Sequence, residues 1–294
     1  MRVLVIGSSG MLGQMVTLYL VQRGFFVTDL SRTRRLRPQT VLLDVLDQNA
    51  FIRFLEEQDY NVIVNCAALL GRACDSHPAE ATALNAWFPH FLEEQFRERK
   101  TKIIQISTDA VFSSSLAERM PFDLCSPDTF YGQTKMTGEL HNKKDLTLRS
   151  AFWGPDQRQE GSGLMNWFLE STGTVEGYRN VTFNGVTSLE CAKCIEEAII
   201  RDVAGVYHLC ARETLSKYDL LCLLRSTFGH TGVQIEPVDS PISARHLAEP
   251  RLSCKKTFLQ MICELKHWMQ DHQEDYLHYQ NVQHGIGECL YEDY

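Results

Sequence analysis

A tyrosine and a lysine lie four residues apart in the segment FYGQTKMTGEL, residues 130–140. Four residues is about one helical turn, so Tyr131 and Lys135 would share one face of a helix. The ordinary interpretation is an exposed polar helix face. The chemical interpretation is that the lysine cation lowers the pKa of the phenol, which makes it a better acid–base group near neutral pH. The rest of the chain has to decide between the two.

A glycine-rich turn, GSSGMLG, follows the first apolar run and precedes a helical pattern. Glycines at such a turn let the backbone approach a pyrophosphate, and the helix N-terminus then faces the phosphates with free N–H groups. The spacing is G-x-x-G-x-x-G, one residue longer at the front than the usual dinucleotide fingerprint, but the strand-to-helix context is the one that the motif requires. We predict a nucleotide site with contacts from Gly7, Gly10, Met11, Leu12 and Gly13.

The end of the second apolar run bears on the choice of cofactor. An acidic residue there would bind the ribose 2′-hydroxyl of NAD, whereas an arginine nearby accommodates the 2′-phosphate of NADP. The expected position falls on Ser31 and Arg32, with Arg34 and Arg35 adding positive charge. The pattern favours NADPH, with NADH as the alternative. Asp29 is the rival ribose ligand if the strand ends earlier.

Strands and helices alternate through the first half of the chain. The runs RVLVI, FFVTDL, TVLLDV, NVIVNCAA, KIIQIS and LTLRSAFWG are typical of buried strands, mostly separated by helical patterns. The alternation predicts an α/β fold with a doubly wound parallel sheet of Rossmann type. Asp44, just after the third strand, and Ala67, after the fourth, are further predicted cofactor contacts.

Beyond Gly154 the alternation loosens, which predicts a smaller C-terminal substrate lobe. We assign residues 1–154 to an NADP-binding domain and residues 155–294 to the substrate lobe and a C-terminal tail, with the chain returning to the first domain around residues 185–210. The segments LMNWFLES, GVTSLECAKCIEEAIIRD and SKYDLLCLLRSTFG are predicted helices, and GVYHLC is a predicted strand. The final His- and Tyr-rich residues are expected to form a docked or frayed tail.

Composition narrows the class of protein. The 294 residues are 44% hydrophobic and 22% charged, close to globular averages, and the net charge of -8 argues against a nucleic-acid or anionic-membrane surface. No apolar run approaches the roughly 18 residues of a membrane span, and the opening lacks a signal-peptide pattern, so we expect a cytoplasmic protein. Cys191 and Cys194 form a C-x-x-C pair inside a predicted helix, where core packing is expected rather than zinc or redox chemistry. No metal site is predicted.

Three segments, GSSGMLG, ISTDAVF and FYGQTKMTGE, together resemble the extended short-chain dehydrogenase/reductase superfamily, and more closely the dTDP-4-dehydrorhamnose reductase family. Through LMNWFLES and GYRNVTFNGVTSLE the likeness continues to about Leu224, where it looks most like reductases of 2-acetamido-2,6-dideoxy-4-ketohexoses. The resemblance implies NADPH-dependent reduction of the 4-keto group of a nucleotide-linked 6-deoxyhexulose. The substrate would be UDP-2-acetamido-2,6-dideoxy-4-ketohexose or dTDP-4-dehydrorhamnose, in deoxysugar biosynthesis.

The family's catalytic residues match Thr108, Tyr131 and Lys135. By resemblance, Tyr131 exchanges the proton, Lys135 holds the nicotinamide ribose and Thr108 binds the substrate oxygen. The residue after S-T-D, often aromatic in the family, is Ala110 here, and the family's V-D-x-A-E stretch is replaced by GRACDSHPAE. Substrate contacts are predicted at Asp109, Asn166, Trp167 and Asn184.

Two other functions stay open at this stage. A regulatory subunit of methionine adenosyltransferase resembles the same reductase family and works as a binding partner, and an intact Tyr–Lys pair does not exclude that role. A sugar-nucleotide epimerase with a tightly bound cofactor is the third interpretation. A nucleotide sugar is the expected small-molecule partner, and a homodimer is left open.

Overall fold

The computed structural model describes residues 1–115, 117–159, 161, 163–248 and 256–279. Its strands are β1 (Arg2–Ile6), β2 (Phe26–Ser31), β3 (Val41–Leu42), β4 (Val62–Asn65), β5 (Lys102–Ile106), β6 (Glu118–Arg119), β7 (Leu146–Arg149), β8 (Phe152–Trp153), β9 (Gly173–Tyr178), β10 (Val181–Phe183), β11 (Val186–Thr187), β12 (Gly205–His208), β13 (Leu215–Ser216), β14 (Val233–Val238) and β15 (Ser243–Leu247). Its α-helices are α1 (Met11–Gln22), α2 (Gln48–Glu56), α3 (Gly71–Ser76), α4 (Pro78–Ala81), α5 (Phe88–Gln95), α6 (Phe130–Thr137), α7 (Leu164–Glu170), α8 (Ser188–Ile200), α9 (Lys217–Phe228) and α10 (Phe258–Asp271). A π-helical segment, Thr82–Trp87, joins α4 to α5, and 3-10 turns occupy residues 109–111, 273–275 and 277–279.

Seven strands form one parallel sheet in the order β12-β7-β5-β4-β1-β2-β3. This order confirms the predicted doubly wound, Rossmann-type α/β fold. Alternate residues of β1 point to opposite faces, so Val3 and Val5 join one hydrophobic core and Leu4 and Ile6 join another. A strand buried on both faces needs the continuous apolar run that the sequence shows.

The chain re-enters the main sheet late. After α8, which packs against α1, strand β12 pairs in parallel with β7 and completes the edge of the sheet. Cys191 and Cys194, the C-x-x-C pair, are both buried in α8.

A smaller set of strands lies outside the main sheet. It contains a four-stranded sheet, β13-β10-β15-β6, and the pairs β11–β8 and β14–β9. Helix α10 follows, and it begins with a capping box between Thr257 and Gln260. The predicted tail beyond residue 279 lies outside the described residues. In the part of the chain that the structure describes, none of the helices is long and apolar enough to cross a membrane.

Candidate active site

The carboxyl ends of β1, β2, β4, β5 and β7 surround a cavity of about 980 Å³. Open α/β sheets bind ligands at this edge, near the point where the strand order reverses. Most of the residues predicted from the sequence line its wall: Gly7, Gly10, Met11, Leu12, Gly13, Ser31, Arg32, Asp44, Ala67, Thr108, Asp109, Tyr131 and Lys135.

The glycine turn brings α1 against the end of β1. A Cβ on Gly13 would lie 2.1 Å from the carbonyl oxygen of Gly7, so only glycine permits this approach. Helix α1 begins at Met11, and Gly10 offers no side-chain cap for the first N–H groups. Because Gly10, Met11 and Leu12 line the cavity, these unpaired donors stand at its wall. The turn therefore fits a dinucleotide pyrophosphate.

The rival ribose ligand, Asp29, is already used by the protein. It is buried, Oδ1 accepts a 3.0 Å hydrogen bond from Arg37 Nε, and Oδ2 accepts a 2.6 Å bond from Thr40 Oγ1. Asp29 is also not among the described residues that line the cavity. The carboxylate therefore organises the loop after β2, whereas Ser31 and Arg32, the other predicted ribose ligands, line the cavity.

Arg32 reaches the cavity as an exposed cation. Its guanidinium forms an ion pair with Glu80, and the neighbouring Asp44 carboxylate also lines the cavity. The hydrogen bond to Glu80, ahead of the coulombic effects of Glu80 and Asp44, raises the pKa of Arg32. A phosphate on the ribose would have to share Arg32 with Glu80 or replace it.

Thr108, Tyr131 and Lys135 converge on one wall. Thr129 caps α6 by accepting a 3.0 Å hydrogen bond from the Gly132 N–H. A Cβ on Gly132 would lie 2.1 Å from the carbonyl oxygen of Ala110, so α6 lies directly on the turn that follows β5. Gly132 therefore accommodates this turn. The close packing puts the Tyr131 hydroxyl in hydrogen-bond contact with Thr108.

Burial raises the pKa of the Tyr131 phenol. The bond to Thr108 acts in the opposite direction, and the Asp109 and Cys74 side chains raise the pKa further. The predicted lowering by Lys135 is wrong for this arrangement, because Lys135 is not among the charges that act on the phenol. The phenol is held in its protonated form.

Lys135 lies under the wall of the cavity, where its Nζ donates a 2.6 Å hydrogen bond to the carbonyl oxygen of Ile106. Burial lowers the pKa of Lys135 to about 8, against the opposing effects of Glu139, Cys66 and Cys74. Lys135 therefore begins to lose its proton at the upper end of the physiological pH range.

A buried ion pair stands behind these residues. Glu139 accepts two hydrogen bonds from Arg149, 2.8 Å from Nε and 2.6 Å from Nη2, and a third of 2.6 Å from Ser107 Oγ. All three side chains are buried, and Ser107 directly precedes Thr108. This buried ion pair was not predicted from the sequence. The only available signals were an arginine inside an apolar strand and a glutamate one turn after Lys135.

The predicted substrate contacts from the smaller lobe fall elsewhere. Asn166 Nδ2 donates to the carbonyl oxygens of Gln159 (3.1 Å) and Gly161 (2.8 Å), and Asn184 pairs through both amide atoms with the backbone of Leu247. Trp167 is 47% exposed. None of these three side chains is among the described residues that line the cavity, so their assignment as sugar contacts stays a prediction that the cavity wall does not support. Asp109 does line it, beside Thr108.

The polar residues at the cavity wall that were not predicted include Arg72, Arg158 and Ser150. Arg72 comes from the segment that replaces the family's V-D-x-A-E stretch, and Arg158 comes from the loop after β8. Ser150 follows β7 directly, and its buried hydroxyl has no hydrogen-bond partner in the described part of the chain. Only position after a strand could have identified Ser150 in advance. Among the described residues, no group of His, Cys, Asp and Glu could hold a metal ion.

Comparison with known proteins gives one family match. A family model described as the RmlD substrate binding domain matches residues 1–153. The chain is 26% identical over 271 residues to methionine adenosyltransferase 2 subunit beta from Bos taurus, covering 87% of this chain and 81% of that protein. It is equally identical, again over 271 residues, to the probable low-salt glycan biosynthesis reductase Agl14 from Haloferax volcanii, covering 86% of this chain and 89% of that protein. Among solved structures, it resembles dTDP-4-dehydrorhamnose reductase from Bacillus anthracis in complex with NADP, with a TM-score of 0.76, 18% identity, and coverage of 90% of this chain and 98% of the other.

Proposed function

The chain belongs to the RmlD substrate binding domain family, within the dTDP-4-dehydrorhamnose reductase-like extended short-chain dehydrogenases/reductases, and from that premise we propose that it is an NADPH-dependent sugar-nucleotide 4-ketoreductase. The observation that supports this most directly is the convergence of Thr108, Tyr131 and Lys135 on the wall of a cavity that the glycine turn also lines. An exposed polar helix face, the ordinary interpretation of the Tyr–Lys spacing, would not bring the pair together with Thr108.

The cofactor would lie along the glycine turn, with its ribose 2′-phosphate toward Arg32 and its nicotinamide end toward Lys135. When bound, NADPH supplies the hydride. The chain's own contribution is orientation: uncapped N–H groups at the start of α1 for the phosphates, a cation at Arg32, and an ammonium at Lys135 fixed by the Ile106 carbonyl.

The proton comes from Tyr131 in this proposal. The phenol is protonated at neutral pH and can act as the general acid toward the substrate oxygen, although burial raises its pKa and so makes it a weaker acid. Thr108, in contact with the phenol and itself part of the cavity wall, would donate a second hydrogen bond to the same oxygen by turning its hydroxyl away from Asp109 Oδ1, to which it donates in this structure (3.2 Å). Lys135 contributes through the cofactor in this proposal, because its ammonium is bound to the Ile106 carbonyl oxygen and is not among the charges that act on the phenol.

We propose two candidate substrates: a UDP-linked 2-acetamido-2,6-dideoxy-4-ketohexose and dTDP-4-dehydrorhamnose. Only the sequence resemblance favours the UDP-linked acetamido sugar, because the side-chain amides of Asn166 and Asn184 are hydrogen-bonded to backbone carbonyl groups of the protein. The test is steady-state NADPH oxidation with both sugars under identical conditions. On the sequence resemblance alone, we expect the acetamido sugar to be preferred by about 10- to 1000-fold in kcat/KM, the discrimination expected of a site that hydrogen-bonds one substrate group. Equal or better efficiency with the dTDP sugar would reverse the substrate choice, and no oxidation with either would remove the reductase proposal.

The alternative function is a non-catalytic nucleotide-binding subunit. It is supported by the similarity to methionine adenosyltransferase 2 subunit beta over 87% of this chain. This alternative predicts NADPH binding without turnover of any 4-keto sugar nucleotide. An epimerase would differ again, because purified protein would carry a stoichiometric nicotinamide cofactor.

A further inference from the structure

Arg158 is a cation of the cavity wall whose orientation is fixed by a buried carboxylate. Its Nε and Nη2 donate to Asp156 Oδ1 (2.9 Å) and Oδ2 (2.7 Å), and the backbone N–H of Arg158 donates a further 2.9 Å bond to the same Oδ1. Asp156 is buried, whereas the Arg158 side chain is 44% exposed. Its remaining nitrogen, Nη1, has no hydrogen-bond partner among the described residues. A guanidinium held in this way keeps one donor edge for a ligand.

The C-terminal turn holds the loop that carries Arg158. The buried Tyr279 hydroxyl accepts a 3.2 Å hydrogen bond from the Asp156 backbone N–H and donates to Asn166 Oδ1. Asn166 closes the connection by donating from Nδ2 to the carbonyl oxygens of Gln159 and Gly161, on the other side of the same loop. One tyrosine hydroxyl therefore links both arms of the loop.

Two more bonds fix the loop at its ends. Gln157 Nε2 donates a 2.9 Å hydrogen bond to Asp275 Oδ1 in the turn at residues 273–275. Gln14 Nε2, from α1, donates a 2.7 Å bond to the carbonyl oxygen of Pro155. Because the first turn of α1 also lines the cavity, this second bond sets the loop directly beside the glycine turn.

We propose that Arg158 is a diphosphate-binding residue of this cavity, and that Tyr279 and Asn166 are positioning residues that hold it there. Arginine suits this task because its planar, always charged guanidinium matches phosphate oxygens. Two molecules would bring a diphosphate to this site: the dinucleotide cofactor and the nucleotide sugar. The inference rests on the proposed function for that choice of ligands. It also gives Asn166 a structural role in place of a sugar contact.

The test measures binding rather than turnover, so it is independent of whether the protein reduces a sugar. Dissociation constants for NADPH, UDP and dTDP are measured by calorimetry on the full chain. Arg158→Gln should weaken the binding of NADPH, or of the nucleoside diphosphates, by about tenfold or more, since a charged hydrogen bond is lost. The matched control is Arg179→Gln, because Arg179 forms the same two-pronged pair with Asp239 (3.1 and 2.9 Å) away from the residues that line the cavity.

The positioning role has its own variants. Tyr279→Phe should weaken the same ligand as Arg158→Gln by roughly 3- to 10-fold, because it unpairs the Asp156 N–H and Asn166 Oδ1. Tyr276→Phe, another buried tyrosine of the same segment, should leave binding unchanged. If Tyr279→Phe does not fold, Asp275→Ala, which breaks the bond to Gln157, is expected to weaken the same ligand.

The outcomes are separable. Weakening of NADPH alone identifies the cofactor as the source of the diphosphate, and weakening of UDP or dTDP alone identifies the nucleotide sugar. Unchanged affinities in Arg158→Gln, or no binding of any of the three ligands by the wild-type protein, overturn the role of Arg158. An effect of Arg158→Gln without an effect of Tyr279→Phe or Asp275→Ala overturns the positioning role. Absence of turnover with intact binding counts only against the reductase proposal.

Discussion

The Lys135 ammonium donates its 2.6 Å hydrogen bond to the carbonyl oxygen of Ile106, the last residue of β5. The bond ties α6 to the strand that leads into Thr108. One turn further on, Glu139 repeats the tie through Ser107. The geometry of the candidate site is therefore set by helix-to-strand contacts, and the Lys135 ammonium is positioned by a backbone carbonyl.

Replacing the proton donor should separate binding from chemistry. Tyr131→Phe keeps the ring and removes the hydroxyl, so we expect NADPH affinity to stay near the wild-type value while kcat falls by at least ~100-fold. Fluorescence titration measures the NADPH affinity, and stopped-flow or steady-state NADPH oxidation measures kcat. Near-normal turnover in this variant would exclude Tyr131 as the acid.

The charge on Lys135 should govern cofactor binding at alkaline pH. Burial lowers the pKa of this lysine to about 8, so the ammonium is present below that pH and is lost as the pH rises through it. We expect the dissociation constant for NADPH to increase above about pH 8. Tyr131→Phe should show the same rise, because the phenol does not titrate in this range. A flat profile in both proteins would contradict the role of Lys135.

Arg32 should decide between the two nicotinamide cofactors. Arg32→Ala is expected to raise the KM for NADPH and to leave NADH almost unchanged, because only NADPH carries a 2′-phosphate. Glu80→Gln should act in the opposite direction, since it frees Arg32 from its ion pair. A wild-type preference for NADH would contradict the assignment of Arg32. Asp29 would not explain such a preference, because its carboxylate is already bound to Arg37 and Thr40 and is not free to bind the ribose.

The main sheet could be predicted because its central strands, β1, β4, β5 and β7, are buried on both faces, which leaves a strong apolar signal in the sequence. The small sheets left no such signal. Strand β13 has only two residues, and β9 shows the weaker alternation of a half-buried strand. Pairings such as β14 with β9 join segments about sixty residues apart, and nothing local specifies them.

The glycine turn and the Tyr–Lys spacing could be predicted because both are short-range patterns. The hydrogen-bond partners of Asn166 could not be predicted, because they include Tyr279, which is 113 residues away in the sequence. The pKa of Tyr131 was misjudged for a related reason. Spacing places Lys135 on the same helix face, but only the three-dimensional structure shows that its ammonium is bound to Ile106 and that burial dominates the phenol.

His208, the last residue of β12, is fully buried beside Arg149. Its Nδ1 lies 3.1 Å from the carbonyl oxygen of Ala248, and its Nε2 lies 3.4 Å from Arg149 Nη1. A neutral ring with its proton on Nδ1 satisfies both contacts, donating to Ala248 and accepting from Arg149. Burial, followed by the charge of Arg149, lowers the pKa of His208 to about 4, although the Ala248 and Arg119 backbones and the Glu139 carboxylate oppose the shift.

The lowered pKa of His208 predicts that the folded protein loses stability in acid as this residue takes up a proton. An unfolded histidine has a pKa of about 6.5, so between about pH 6.5 and pH 4 the unfolded chain binds the extra proton. The stabilisation is therefore complete above about pH 6.5, and roughly 2 kcal/mol of it should be lost by about pH 5. Urea unfolding of the wild type and of His208→Gln at about pH 7 and about pH 5 measures it, since glutamine retains a donor and an acceptor but does not titrate. The wild type should lose more stability than the variant; equal losses would mean that other groups carry the acid sensitivity.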